Sequence, residues 1–116
     1  KYRGMAALRV GCSGAGGIRV GFNFPSGATF AGGIIGNTSS ITVQALFSSG
    51  AFTSGTAGST AFNTNASASG LIILDFYLET GASTGNIEII ARAGTAPQTS
   101  TIYAGLSTMR LERIDA

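Results

Sequence analysis

Apolar side chains recur at every second position along much of this chain, and no stretch repeats them at helical spacing. The clearest run sets Ile18, Val20, Phe22 and Phe24 against Arg19, Gly21 and Asn23. Successive side chains of an extended strand point to opposite faces, so this pattern buries one face and wets the other only as a β-strand. The run stops at Pro25-Ser26-Gly27, where a fixed φ is followed by a residue that tolerates positive φ. Met5, Leu8 and Val10 are expected in an earlier strand closed by the small-residue loop 11–17. Ile41, Val43, Ala45 and Phe47, alternating with Thr42, Gln44 and Leu46, are expected in a later one. Between them, segment 29–36 carries Phe30, Ile34 and Ile35 but is interrupted by Gly32-Gly33, which predicts a bulge or a change of partner sheet.

Residues 48–70 are mostly Ser, Thr, Gly, Ala and Asn, with Phe52 and Phe62 as the bulky anchors. Two phenylalanines argue for a packed excursion with a short strand near 60–63 rather than a linker. Two further strand patterns flank Thr80-Gly81-Ala82-Ser83-Thr84-Gly85, which predicts a hairpin over 71–94. A turn centred near Ala82 and Ser83 places Ile72, Leu74, Phe76 and Leu78 on one face with Ile87, Ile89, Ala91 and Ala93. The opposite face then carries Asp75, Tyr77 and Glu79 with Asn86, Glu88 and Arg92, and a one-residue slip would destroy the agreement. A last strand is expected over 101–114, alternating Met109, Leu111 and Arg113 with Arg110, Glu112 and Ile114. Seven to eight strands with Gly-rich connections predict an all-β fold, an antiparallel β-sandwich that is jelly-roll-like. Residues 1–116 read as a single domain, and a strand pattern already under way at residue 1 suggests a segment of a longer chain.

Composition constrains the chemistry mainly by exclusion. Gly, Ala, Ser and Thr make up more than half of the 116 residues, against seven basic and five acidic side chains. The basic residues are dispersed along the chain, so the net charge of +2 makes no stripe for a phosphate backbone, and no nucleic acid is expected as a partner. The longest solid aliphatic stretch, Leu71 to Leu74, is far below the roughly 18 residues that cross a bilayer as a helix, so no membrane insertion is expected. With no His, neither a Ser-His-Asp relay nor a His-containing zinc set can be built, and one Cys makes no thiolate metal site. No cofactor or metal is expected. Cys12 reads as a small buried apolar residue. The glycine cluster 11–17 lacks the Gly-Lys-Ser/Thr ending of a phosphate-binding loop and reads as a tight hairpin connection.

The predicted hairpin brings Asp75, Glu79 and Glu88 to one exposed face. Asp75 and Glu79, four apart on a strand, are about 13 Å from each other, beyond the roughly 5 to 9.5 Å that glycosidase carboxylates need. Each is only diagonal to Glu88, and nothing marks a carboxylate as buried enough to act as an acid, so the group reads as a solvated face balanced by Arg92. No catalytic residue is expected. The candidates for contact with a ligand or a neighbouring subunit are Tyr77, Tyr103 and Arg92, tyrosine because it joins an apolar ring to a polar tip. Abundant small side chains suit close approach between flat surfaces, so symmetric copies of the chain are expected to associate.

Four motifs carry a resemblance: Gly17-Ile18-Arg19-Val20-Gly21-Phe22 with Phe24-Pro25-Ser26-Gly27-Ala28; Gly70-Leu71-Ile72-Ile73-Leu74-Asp75; Gly85-Asn86-Ile87-Glu88-Ile89; and the closing run from Ile102-Tyr103-Ala104-Gly105 to Arg110-Leu111-Glu112-Arg113-Ile114. In this order they resemble a small β-sandwich domain of tailed-bacteriophage virion proteins, found in tail fibres, tail-associated proteins and capsid-surface proteins. The penultimate strand departs from that pattern, carrying Arg92 where a Gln or another polar residue is usual. The resemblance implies a virion location and a non-enzymatic structural role in particle assembly or host attachment. The implied partners are further copies of itself, with a trimer favoured, other virion proteins, and a host-surface glycan where attachment is the role. The alternative reading is a carbohydrate-binding module using Tyr77 with loops 48–69 and 97–101.

Overall fold

The computed structural model describes residues 1–37, 43–49, 55–57, 62 and 69–114. Its strands are β1 (Tyr2–Cys12), β2 (Ile18–Asn23), β3 (Thr29–Asn37), β4 (Val43–Ser49), β5 (Thr56–Ala57), β6 (Ser69–Glu79), β7 (Glu88–Ala93), β8 (Ser100–Ile102) and β9 (Thr108–Arg113). Seven of these have six residues or more. A single 3-10 turn, Ala104–Leu106, separates β8 from β9, and no α-helix is present among the described residues.

Among the described residues all strand pairings are antiparallel and fall into two sheets. The larger has the order β4-β3-β6-β1, with β8 and β9 both along the far side of β1, and the smaller has the order β5-β2-β7. The chain alternates between the layers, so that β1, β3 and β6 of one sheet are interleaved in sequence with β2, β5 and β7 of the other. The fold is all-β and sandwich-like, with connections that cross between the two layers.

The alternation in each strand explains the core. Ala6, Leu8 and Val10 of β1, Phe30 and Ile34 of β3, and Ile72, Leu74, Phe76 and Leu78 of β6 are buried, facing Ile18, Val20 and Phe22 of β2. Phe22 is the hub, with ring centroids 4.6 Å from Phe30 and 5.1 Å from Phe76, while Phe24 stacks on Phe30 at 4.8 Å. Gly4 lies where a Cβ would enter the Phe76 ring, so a missing side chain on one strand makes room for an aromatic on the next. Phe62 is buried and pairs through its backbone with Ile18 in both directions at 2.8 Å. Cys12 is buried, as its apolar setting predicts.

Several expectations require correction. The hairpin over 71–94 does not form: β6 pairs with β1 and β3, whereas β7 pairs with β2 in the other sheet. The turn at Thr80 is present, with Ser83 N–H donating to Thr80 O at 2.9 Å, but residues 80–87 span the roughly 10 Å between two packed sheets. Loop 11–17 is likewise a crossing and not a hairpin, because β1 and β2 lie in different sheets. No bulge occurs at Gly32-Gly33, where the registers with β4 and β6 both run through unbroken. Gly32 is needed instead for close approach, since a Cβ there would stand 2.9 Å from both Asp75 O and Phe76 Cβ. Met5 points away from the core, one step out of phase with Leu8 and Val10, and is 56% exposed.

The closing strand is split in two. Leu8 and Arg9 stand opposite the five residues 103–107, and the surplus is taken up in the 3-10 turn. Tyr103 N–H donates to Arg9 O at 2.9 Å and Arg9 N–H to Ser107 Oγ at 3.0 Å, which closes the gap in the ladder. Expected strand positions 41–42, 60–61 and 63, the side chains of β4, and Phe52 lie outside the described residues.

Candidate functional site

The three carboxylates do not share a face. Asp75 lies on the outer face of the larger sheet, where it accepts from Arg3 Nη2 at 3.2 Å. Glu79, four positions along β6, accepts the Tyr77 hydroxyl at 3.0 Å and lies 3.8 Å from Lys1 Nζ. Glu88 belongs to the other sheet, where it accepts from Asn23 Nδ2 at 2.9 Å. Asp75, Glu79 and Glu88 therefore do not meet in one cleft. Among the described residues, no three His, Cys, Asp or Glu side chains converge to hold a metal.

Tyr77 projects from β6 between Arg3 of β1 and Ala31 of β3. Desolvation pushes its phenol above the ordinary tyrosine range, and the hydrogen bond to Glu79 adds to the shift by holding the proton. An unfolded chain ionises tyrosine near pH 10. The folded state retains the proton to higher pH, so this contribution to stability is complete below pH 10 and is lost as the pH rises towards the folded value. Tyr77→Phe is expected to flatten the alkaline loss of stability, read as unfolding midpoints on either side of pH 10, and Glu79→Gln to lower the phenol's titration midpoint, read from tyrosinate absorbance. A Tyr77 that titrates in step with a denatured control excludes the Glu79 bond as a restraint.

Tyr103 sits at the junction of β8 and the 3-10 turn with its hydroxyl over Gly11, 2.6 Å from where a Cβ would be. The residue is 42% exposed. The binding loops envisaged with Tyr77 are only partly visible: most of 48–69 lies outside the described residues, while 97–101 is engaged with the chain's own backbone. There Gln98 accepts from Gly16 N–H at 2.8 Å and donates to Gly17 O, Ser13 N–H donates to Thr99 O while Thr99 N–H donates to Ser13 Oγ, and Ser100 Oγ donates to Gly17 O at 3.1 Å. The amide of Gly16 thus already has its acceptor, which leaves the glycine cluster unlike a phosphate cradle.

An exposed apolar margin lies along β9. Met109 stands opposite Ala6 and Leu111 opposite Gly4, so both point to the side of the larger sheet that carries the core. The smaller sheet, three strands against six, does not reach that far, and Met109 and Leu111 stay more than 40% exposed. Ile102 of β8 and Leu106 of the 3-10 turn continue the exposed margin, Leu106 at 69%. A groove of about 460 Å³ runs between β9 and the connection 80–87, with Tyr2, Leu78, Ile87 and Leu111 in its wall. Ser83 Oγ anchors that connection by donating to Ser26 O at 2.7 Å. Sequence reasoning found the alternation of the closing strand; that its apolar side is left open follows only from the width of the opposite layer.

Arg92 projects from β7 on the outer face of the smaller sheet, directly opposite Arg19 of β2. Comparison of the chain with protein-family models, with curated proteins and with solved structures gives no match, so the functional reading rests on its own residues.

Proposed function

We propose that this chain is a non-enzymatic structural domain of a bacteriophage virion, in a tail fibre, spike or capsid-surface decoration, acting in particle assembly or host attachment through self-association. The virion setting is drawn from the four sequence motifs, and a trimer is the stoichiometry their resemblance favours. The observation that supports association is the bare core-facing side of β9. Monomers seldom leave a continuous apolar margin on an edge strand in water, because it costs hydrophobic free energy and offers unpaired backbone groups to any neighbour. A second copy resting on Met109, Leu111 and Leu106 removes that area from water at about 25 cal/mol per Å². Host-surface glycan and other virion proteins remain the further partners of the proposal.

Leu111→Asp tests it. The side chain is partly exposed and pairs across to a glycine, so the monomer should fold with the wild-type circular dichroism spectrum while a desolvated carboxylate in the contact abolishes association. Light scattering should report a defined oligomer for the wild type and a monomer for the variant. A wild-type chain that stays monomeric at high micromolar concentration, or an oligomer that Leu111→Asp leaves intact, contradicts the assignment.

A further inference from the structure

The outer face of the smaller sheet carries an arrangement that its own fold leaves unbalanced. Arg19 of β2 and Arg92 of β7 are directly opposed across the ladder. Directly opposed residues on one face have Cβ atoms about 4.5–5.5 Å apart, and like charges placed so repel each other. All four carboxylates on the strands have partners elsewhere: Arg3 holds Asp75, Lys1 lies beside Glu79, Arg110 beside Glu112, and Glu88 takes Asn23. Among the described residues no carboxylate reaches Arg19 or Arg92. Arg19 Nε is moreover buried with no hydrogen-bond acceptor, the single such side-chain atom among the described residues. A buried donor without an acceptor is destabilising, more so when charged, and two opposed guanidinium forks add to that cost.

From this we infer that Arg19 and Arg92 form a binding site for one oxyanion, a carboxylate or sulfate group carried by an otherwise uncharged molecule such as an acidic saccharide. Guanidinium groups match such anions through paired N–H donors, which supplies Arg19 Nε with its missing acceptor and screens the repulsion between the pair. The next outward pairs along the same ladder fix the class of ligand. Gly21 and Ile90 come first, neutral and largely without polar side-chain groups, followed by Asn23 and Glu88 about 13 Å from the arginines. A polyanion laid along this face would meet the Glu88 carboxylate, so a nucleic acid or polyphosphate is disfavoured. An uncharged ligand body with hydroxyl groups would meet an amide and a carboxylate that can bond to it. The site does not depend on how the chain self-associates, since β9 lies in the other sheet.

The test is a titration of the intact chain, followed by the Arg19 Nε–H and the Gly21 and Ile90 amide resonances, with sodium sulfate, sodium glucuronate and glucose at constant ionic strength. Saturable shifts with sulfate and glucuronate, and none with glucose, are expected. Equal affinities identify a free anion as the source, and a tighter glucuronate identifies the saccharide. Arg92→Gln should weaken binding at least tenfold and Arg92→Lys by an intermediate factor, because a point charge remains while the fork is lost. Arg92 is exposed, so both variants should keep the wild-type amide spectrum elsewhere. Shifts that fail to saturate, or saturation that Arg92→Gln leaves unchanged, overturn the site.

Discussion

Phe22→Ala should remove about 3–5 kcal/mol of stability, the usual cost of emptying a fully buried aromatic position. For a domain whose total is about 5–15 kcal/mol this is a large fraction, equivalent to roughly 12–25 °C in the thermal midpoint. The magnitude follows from position. Phe22 is 0% exposed, and it is the residue of the smaller sheet whose ring touches aromatics of both β3 and β6 in the larger one. Truncation leaves Phe30 and Phe76, 5.5 Å apart, facing a void that two hydrogen-bonded sheets cannot collapse to fill. Phe24→Ala supplies the comparison, because Phe24, which stacks on Phe30, is only partly buried, so its loss should be clearly smaller. Urea unfolding of the three proteins measures the difference, with an unchanged slope showing that the denatured state is not involved. A Phe22→Ala loss below 1 kcal/mol would mean that the two layers do not close on this ring.

The position of Phe22 was legible in the sequence, and its partners were not. Strict alternation from Ile18 to Phe24 states which side of the strand is dry. It does not state whether the next strand lies alongside in the same sheet or across the core in the other. The same ambiguity produced the wrong pairing of β6 with β7. Ile72, Leu74, Phe76 and Leu78 do face the core, and Ile87 and Ile89 pack against it, yet they meet it from opposite layers. Agreement about a buried face is satisfied equally by neighbours and by opponents. Pairing also separates the carboxylates, since Glu88 follows Asn23 into the smaller sheet.

Long-range pairing likewise created features that no local pattern announces. Arg19 and Arg92 are far apart in sequence, and the sequence marks only Arg92, as a departure from a motif; their opposition exists only once β2 and β7 are aligned. The break between β8 and β9 arises because five residues must stand against two of β1. Exposure of Met109 and Leu111 depends on an opposite sheet three strands wide.

At the other end of the sandwich, the two connections that leave the core layer by layer are locked to each other, and Gly94→Ala should show how tightly. A Cβ on Gly94 would run into the carbonyl oxygen of Gly16, while the Gly94 N–H donates to Gly17 O at 2.8 Å. Both obstacles are backbone, held in turn by Gln98, which bonds Gly16 N–H and Gly17 O together, so no flexible side chain can swing away. The added methyl must push loop 13–17 from loop 94–99, and about 3 kcal/mol is the expected cost, at the upper end of ordinary overpacking. Amide exchange should quicken first at Gly16, Gly94 and Thr99, the donors of this junction, before it does in β6. Gly105→Ala is the matched control. A Cβ there meets nothing within 4 Å and the backbone is not in the left-handed region, so the same chemical change should leave stability unaltered or raise it by up to about 1 kcal/mol through the unfolded chain. Equal effects from the two substitutions would assign the cost of Gly94→Ala to glycine's intrinsic freedom; a large difference places it in the contact between the two crossings, where the layers are joined.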